Sequence, residues 1–276
     1  MSLMPSTSAC PIPSIGGQPP ASGVREVWDD AEARFYMEGI SRSDYARAVG
    51  GRLHDLLGSQ AELLDIGAGA GTLGLPLLAP GARWTAVEPN AFLAGHLRSR
   101  SPRWPYRLNV VESTWQALGP GDVPMHDASV AANTCGPLDD PEGFWWWMRA
   151  RTERVMAWVV PAQEGPHGIC LSGFLPPELH GEDMEPPARK VLARLGDHLR
   201  PDHVEMVDWT FHYRFADAES ANRYFNRRFN PAGDPARAHA LSAHLEENLV
   251  PVLDGQLASA PKRSACLIWF LSGEQP

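Results

Sequence analysis

The chain has 276 residues, of which 43% are hydrophobic and 21% are charged, a balance typical of folded globular proteins. Lysine and arginine number 24 against 33 aspartates and glutamates, and the formal net charge of -9 argues against a nucleic-acid partner. The four cysteines form no CxxC pair, so a disulfide scaffold or a zinc ribbon is excluded. Since no apolar run approaches the roughly 18 residues of a membrane span, we expect a cytoplasmic protein without a membrane partner.

Two regions precede the first predicted strand. Residues 1–23 are rich in proline and nearly free of charge, so we expect a disordered tail there and a single domain over 24–276. Residues 24–57 show helical spacing in two pieces, which predicts a helical lid. The stretch from Ser41 to Asp44 fits a capping box for the second piece, and Gly58 ends it.

Strands and helices then alternate along the chain. Short apolar runs predict strands over 61–66, 83–88, 106–111, 127–132 and 154–160, with helices over 72–78, 91–100 and 141–152 between them. Beyond residue 161 we expect strands over 204–215 and 264–271 and helices over 187–199, 217–228 and 235–249. This alternation predicts an α/β protein with a doubly wound, mostly parallel sheet and helices on both faces.

The most informative segment runs from Asp65 to Gly71, where three alternating glycines follow the first strand directly. Glycines allow a tight turn and a close approach of the backbone to a ligand. The loop is predicted to lead into a helix N-terminus, where free N–H groups attract negative charge. Glu88 ends the next strand and precedes Pro89, a place where a carboxylate can accept hydrogen bonds from a ribose.

This pattern, Asp-x-Gly-x-Gly-x-Gly with an acid at the end of the next strand, resembles the class I S-adenosylmethionine-dependent methyltransferases. The resemblance covers about residues 40–160 well, and it extends more loosely to the end through a reversed pair of strands that would close a seven-stranded sheet. It implies S-adenosylmethionine as cofactor and S-adenosylhomocysteine as product. The resemblance assigns the cofactor to Asp65, Gly67, Ala68, Gly69, Gly71, Glu88 and Pro89, with the glycines at the methionine portion and Glu88 at the ribose.

The resemblance also implies an adenine site after the third strand. Glu112 is a candidate acceptor for the adenine amino group, Ser113 lies beside it, and the Trp115 ring is able to stack on the base. The alternative, that Glu112 is solvated and Trp115 belongs to the core, is equally open.

The end of the fourth strand is where the family carries its reacting groups. Asn133, followed by Thr134 and Cys135, is therefore expected near the transferred methyl and is also a candidate for binding the cofactor. His126 and His167 are weak candidates for a general base. The chain lacks the Asn/Asp-Pro-Pro-Tyr/Phe motif of enzymes that methylate exocyclic amines, which again favours a small-molecule acceptor over nucleic acid.

The expected substrate-side insertions are 161–186 and 216–255, and a monomer or a homodimer is compatible with the sequence. Four arginines between 214 and 228 form a basic patch that is either a solvated helix face or a site for an anionic substrate.

Two other functions compete with methyl transfer. The stretch from Gly69 to Gly74 fits the dinucleotide fingerprint GxGxxG, with Glu88 following 19 residues after Gly69, which would suit an NAD(P)- or flavin-dependent oxidoreductase. That alignment places Asp65 and Gly67 inside the strand, where apolar residues belong, so it is the weaker of the two. The third possibility is a module that binds S-adenosylmethionine without catalysis.

Overall fold

A computed structural model describes residues 28–134, 138–166, 170–180 and 185–271 of the chain. The tail expected over 1–23 lies outside these residues. In the described part, eight strands form one sheet: β1 (Gln60–Ile66), β2 (Leu78–Val87), β3 (Arg107–Val111), β4 (His126–Ala132), β5 (Thr152–Pro161), β6 (His203–Phe215), β7 (Val250–Val252) and β8 (Gly255–Phe270).

The strand order is β3-β2-β1-β4-β5-β8-β6, and the short β7 pairs with β8. Strands β1 to β5 are parallel, while β8 runs antiparallel to both β5 and β6. The expected doubly wound, mostly parallel sheet closed by a reversed pair is therefore confirmed. The three-residue β7 is an eighth strand that the sequence pattern did not predict.

Helices cover the sheet and its carboxyl edge: α1 (Asp30–Arg42), α2 (Gly51–Leu57), α3 (Ala91–Arg100), α4 (Pro141–Arg149), α5 (Pro177–His180), α6 (Pro187–Arg194), α7 (Ala218–Phe229) and α8 (Pro235–Asn248). A π-helical turn at Ala46–Gly50 leads directly into α2. None of the helices among the described residues is long and apolar enough to cross a bilayer.

Two hydrophobic clusters lie on opposite faces of the sheet. Leu63 and Cys266 belong to one cluster, and their neighbours Leu64 and Ala265 belong to the other. The clusters alternate in this way because successive side chains of a strand point to opposite faces. Leu64 is fully buried. A leucine side chain in that situation contributes roughly 1.5–3 kcal/mol to folding, so both faces hold the sheet in place.

The helix expected over 72–78 is wrong. Turn residues follow Gly71, and a 3-10 turn at Leu75–Leu77 leads straight into β2. Gly74 packs so closely that a Cβ there would lie 2.3 Å from an oxygen of Asp65. The glycine loop therefore does not lead into the N-terminus of an α-helix.

The capping box expected at Ser41 is also wrong. Ser41 lies in the last turn of α1 and donates to the Glu38 carbonyl, while Asp44 accepts the Thr210 backbone N–H at 2.7 Å. The capping box of this region is at the start of α1, where Asp29 and Glu32 cap each other's backbone.

Strands β6 and β8 form an arm that extends past the carboxyl edge of the parallel strands. The last residue of β5, Pro161, pairs with Ser264 of β8. On the other side of β8, Val207 of β6 pairs with the same Ser264, and the β6–β8 pairing continues beyond Val207 to Phe215. Those eight further residues correspond to roughly 26 Å of strand. Helix α1 packs on this arm, where Gly39 allows the ring of Phe211 to approach its backbone. The arm and α1 thus lie beside the carboxyl edge of the sheet, where the glycine loop is located.

Candidate functional site

The glycine loop lies at the carboxyl edge between β1 and β4. Gly67, Gly69 and Gly71 have φ values of +67°, +58° and +79°, in the region that glycine adopts at little cost. A Cβ on Gly67 would lie 2.2 Å from the methyl carbon of Thr134, so the loop fits against the end of β4 without space for a side chain. The N–H of Gly67 donates to the Val87 carbonyl at 2.8 Å, which ties the loop to β2.

Glu88 holds this loop from the end of β2. One carboxylate oxygen accepts the Gly69 N–H at 2.7 Å and the other accepts the Asn90 N–H at 2.8 Å. The side chain is 5% exposed, and burial raises its pKa to about 7 although the two N–H groups act in the opposite direction. Each oxygen keeps a further lone pair for another donor. Pro89, the neighbouring candidate, is half-buried between Glu88 and Asn90.

Asp65 lies beneath the loop and is 3% exposed. Burial, and then the nearby Glu88, raise its pKa to about 7. The Trp84 indole faces the carboxyl and lowers this pKa, although its N–H and the carboxyl oxygens are not aligned as a hydrogen bond. The site thus contains two neighbouring buried carboxyls. The expected role of Asp65 in positioning the cofactor stays a prediction.

The aromatic side chains of Trp28 and Tyr36 cover the loop. A Cβ on Gly69 would lie 3.2 Å from the Tyr36 ring, and the rings of Tyr36 and Trp28 are 4.8 Å apart. The Asn90 side-chain amide donates to the Trp28 carbonyl at 2.8 Å, joining the lid to the end of β2. Burial raises the pKa of Tyr36, and Cys170 and Glu88 raise it further, so its phenol stays neutral.

Asn133 directly follows β4 and has φ of +53°. Among the described residues it is the one non-glycine residue with positive φ. Residues held in this region cluster at functional sites. Its amide donates to the Tyr45 hydroxyl at 3.0 Å, and burial keeps that phenol neutral by raising its pKa well above 10. The next residue, Thr134, has a buried hydroxyl oxygen with no hydrogen-bond partner among the described residues. Tyr45 lies in the segment 24–57 expected over the site, but helical spacing alone did not reveal its contact with Asn133, because a tyrosine at such spacing is usually a core residue.

The structure does not bring His126 to this site. It begins β4, so roughly 20 Å of strand separate it from Asn133. Its ring nitrogen bonds the Thr85 hydroxyl at 2.8 Å, and burial lowers its pKa, as expected of a neutral structural histidine. The other histidine candidate, His167, and Cys135 lie outside the described residues.

The three residues expected at adenine follow β3. Glu112 is exposed and pairs with Arg98 at 2.7 Å, and the Ser113 hydroxyl donates to a neighbouring carbonyl. The Trp115 ring packs edge-on against Phe144, at 5.1 Å between centroids, in the core cluster beneath α4. These positions match the alternative of a solvated glutamate and a core tryptophan, while their contact with adenine stays a prediction.

The dinucleotide fingerprint is not supported by this geometry. That motif places a pyrophosphate at the N-terminus of the helix that follows the glycines. After Gly74 the structure has a 3-10 turn of three residues, and the sheet closes with the antiparallel β8 in place of a further parallel strand. The reversed closure is the one that class I methyltransferases show, and the chain has this fold.

Comparisons with known proteins give similarity to solved structures alone. No family model matches the chain, and no curated protein is significantly similar to it. Solved structures that are similar include a precorrin-6y C5,15-methyltransferase from Geobacter metallireducens, at 15% identity and a TM-score of 0.43 over 80% of this chain and 87% of that one. Magnesium protoporphyrin IX methyltransferase from Synechocystis PCC 6803, with bound SAH, has 11% identity and a TM-score of 0.42 over 88% and 89%. The YcgJ protein of Bacillus has 13% identity and a TM-score of 0.44 over 80% and 97%.

Proposed function

We propose that the protein is an S-adenosylmethionine-dependent methyltransferase acting on a small-molecule acceptor. The observation that carries the proposal is the buried Glu88 carboxylate, which ties the left-handed Gly69 to the end of β2 beneath Tyr36. A carboxylate at this edge of a doubly wound sheet is suited to bind a ribose.

The residues around the glycine loop fit such a cofactor. Glu88 keeps lone pairs beyond its two N–H donors. The Thr134 hydroxyl and the Trp28 indole N–H are buried and have no hydrogen-bond partner within the part of the chain that the structure describes. Buried polar atoms of this kind require a partner, because leaving one unpaired costs about 1–3 kcal/mol. We assign Glu88 to the ribose and the backbone of Gly67 and Gly69 to the methionine portion.

The chemistry requires little of the protein beyond binding and orientation. When bound, the cofactor supplies an activated methyl group on a sulfonium leaving group. Trp28 and Tyr36 exclude water from the loop, and the Tyr45–Asn133 pair fixes the polar groups at the end of β4. Because the Tyr45 phenol stays neutral, its role is to donate or accept a hydrogen bond and not to remove a proton. A base is needed only where the acceptor must lose a proton.

A small acceptor suits the net charge and the aromatic lid. The chain carries a formal charge of -9, which disfavours phosphate backbones. Phe35 of α1 stacks between Tyr213 and Tyr224 of the arm and α7, at 3.9 and 4.6 Å, next to the site. These packed rings give the region next to the site an apolar character, which suits a small acceptor. Within this proposal the enzyme belongs to the EC 2.1.1 type and acts in the cytoplasm as a monomer or homodimer.

Calorimetric titration tests the proposal. S-adenosylhomocysteine is expected to bind the parent protein and Glu219→Ala equally, because Glu219 pairs with Arg223 on the surface. Glu88→Ala is expected to weaken binding by at least about tenfold, through loss of charged hydrogen bonds worth roughly 1.5–3 kcal/mol. Binding of NAD(P)H without S-adenosylhomocysteine would favour the oxidoreductase instead. Binding with no turnover across a broad acceptor panel would favour a non-catalytic module.

A further inference from the structure

We propose that the open edge of the sheet, over residues 203–209 of β6, is where a second copy of this chain pairs to form a symmetric dimer. Strand β6 is the last strand in the order of the sheet, and β8 is the strand that pairs with it. An edge strand presents a row of backbone N–H and C=O groups to any other strand that approaches it. The inference goes beyond the proposed function and does not depend on it.

One hydrogen bond shows which way the backbone groups of β6 point. The Thr210 N–H donates to the Asp44 carboxylate at 2.7 Å, so at this residue the N–H points away from β8. The residue opposite Thr210 on β8 is Pro261, which has no N–H to donate, and this agrees with that direction. In an antiparallel pair the direction alternates from one residue to the next, and the β6–β8 register is unbroken.

Three residues of β6 therefore carry outward-pointing backbone groups at the open edge. These are Val204, Met206 and Asp208, whose outward N–H and C=O groups have no hydrogen-bond partner among the described residues. The stretch begins with His203, the first residue of β6, and ends before Thr210, whose N–H is already bonded. Its seven residues correspond to roughly 23 Å of strand.

The side chains of this stretch do not protect the edge from pairing. Val204 and Met206 are 39% and 54% exposed on the same face of β6, where they line an open cleft of about 1320 Å³ together with α6. The stretch contains no proline and no lysine, and its register with β8 has no bulge. Natural edge strands use those devices to prevent association. An exposed apolar edge without them is suited to a partner strand.

The acidic side chains of the stretch are neutralised within each copy. Glu205 pairs with Arg52 at 2.8 Å, and the Arg263 guanidinium binds both oxygens of Asp208. The formal charge of -9 on the whole chain opposes self-association. The ion pairs make this edge a place where two copies approach without strong local repulsion.

The symmetry of the dimer determines its register. Two identical strands that pair antiparallel over the whole of 203–209 have their two-fold axis at the central residue, Met206. Met206 then lies opposite its own copy, Val204 lies opposite Asp208 of the second copy, and all three outward N–H groups of each strand find acceptors. An axis at Glu205 would instead place two carboxylates directly opposite each other, which is unfavourable.

Sedimentation velocity of the full chain over a concentration series measures the association. A pairing of this length buries less than the roughly 1,600 Å² of a standard interface, so we expect monomer at about 1 μM and dimer at about 200 μM. Met206→Lys places two ammonium groups at the axis and should weaken the dimer at least about tenfold. Met125→Lys changes another exposed methionine, 46% accessible and ahead of β4, and should associate as the parent does.

Disulfide formation tests the register. Met206→Cys places each thiol opposite its copy, with roughly 5.5 Å between the Cα atoms, a distance that a disulfide spans. Val204→Cys leaves the two thiols roughly 13 Å apart along the strands, which is too far. On mild oxidation we expect at least about tenfold more cross-linked dimer for Met206→Cys than for Val204→Cys. The parent protein measures any cross-linking through the native cysteines.

Three results would overturn the proposal. The first is a parent that is monomeric at about 200 μM, including the case in which another segment of this chain covers the edge. The second is a Met206→Lys variant that associates like the parent, and the third is equal cross-linking of Met206→Cys and Val204→Cys. Should Met206→Lys not fold, the two cysteine variants decide, since both retain an uncharged side chain at the edge.

Discussion

The two buried carboxyls predict that the ligand-free protein loses stability as the pH rises. Because their pKa values are raised to about 7 from the ordinary 4.5 of Glu88 and 3.8 of Asp65, the folded state binds these protons more tightly than the unfolded state. The resulting stabilisation is complete below the unfolded pKa values and is lost as the pH rises through 7. For Glu88, proton linkage gives a loss of about 1 kcal/mol between about pH 6 and pH 8.

Glu88→Gln isolates this effect. The amide does not titrate, and it offers one acceptor oxygen to the two N–H groups that Glu88 satisfies, which costs about 1–3 kcal/mol. We therefore expect a variant that is less stable at about pH 6 but whose stability falls less steeply toward pH 8. Denaturant unfolding without ligand at three pH values measures both quantities.

The comparison with the parent removes titrating groups that do not interact with Glu88. Asp65, whose pKa Glu88 raises, changes with the substitution, so the difference between the profiles reports the two coupled carboxyls together. His126, whose pKa burial lowers, contributes stability that increases with pH through its unfolded pKa, but it does so equally in both proteins. Glu219→Gln, at an exposed position, is expected to follow the parent profile. Parallel profiles for the parent and Glu88→Gln would refute the reasoning that Glu88 carries a raised pKa.

Other substitutions test the remaining parts of the site. Gly67→Ala should destabilise the fold by more than the roughly 1–2 kcal/mol of left-handed strain and abolish S-adenosylhomocysteine binding, because its Cβ would also clash with Thr134. Gly233→Ala, with φ of +69° and open space, should incur the strain alone, and unfolding curves compare the two variants. Tyr36→Ala should weaken S-adenosylhomocysteine binding at least about tenfold by uncovering the loop, and calorimetry showing parental affinity would contradict a covering role. Tyr45→Phe should remove the acceptor of the Asn133 amide and lower kcat at least about tenfold with little change in Tm; an unchanged kcat would show that the pair only packs.

The sheet was largely predictable from the sequence, because buried parallel strands are short apolar runs with abrupt ends. The helix expected over 91–100 is observed as Ala91–Arg100, with Asn90 as its cap. The last strand was expected over 264–271 but begins at Gly255. Its first half alternates small apolar and polar residues around Pro261, and the pairing with β6 that forms it is not encoded locally.

The glycine loop and Glu88 were predictable because the motif requires its residue types at fixed spacing. The cover provided by Trp28 and Tyr36, and the Tyr45–Asn133 contact, depend on how the lid packs on the arm. A helical aromatic stripe does not specify such packing, since the same pattern is typical of core residues. His126 was misjudged for a different reason: it precedes the predicted strand 127–132, and the start of a parallel strand lies at the edge of the sheet opposite the carboxyl ends where the site forms.

The most direct test of the cofactor site is a crystal structure of the full chain with S-adenosylhomocysteine. We expect the ribose hydroxyls on the Glu88 carboxylate, the homocysteine portion against Gly67 and Gly69, and Tyr36 covering the ligand. A ligand bound elsewhere, or one that leaves Glu88 with Gly69 and Asn90 as its only partners, would contradict the account.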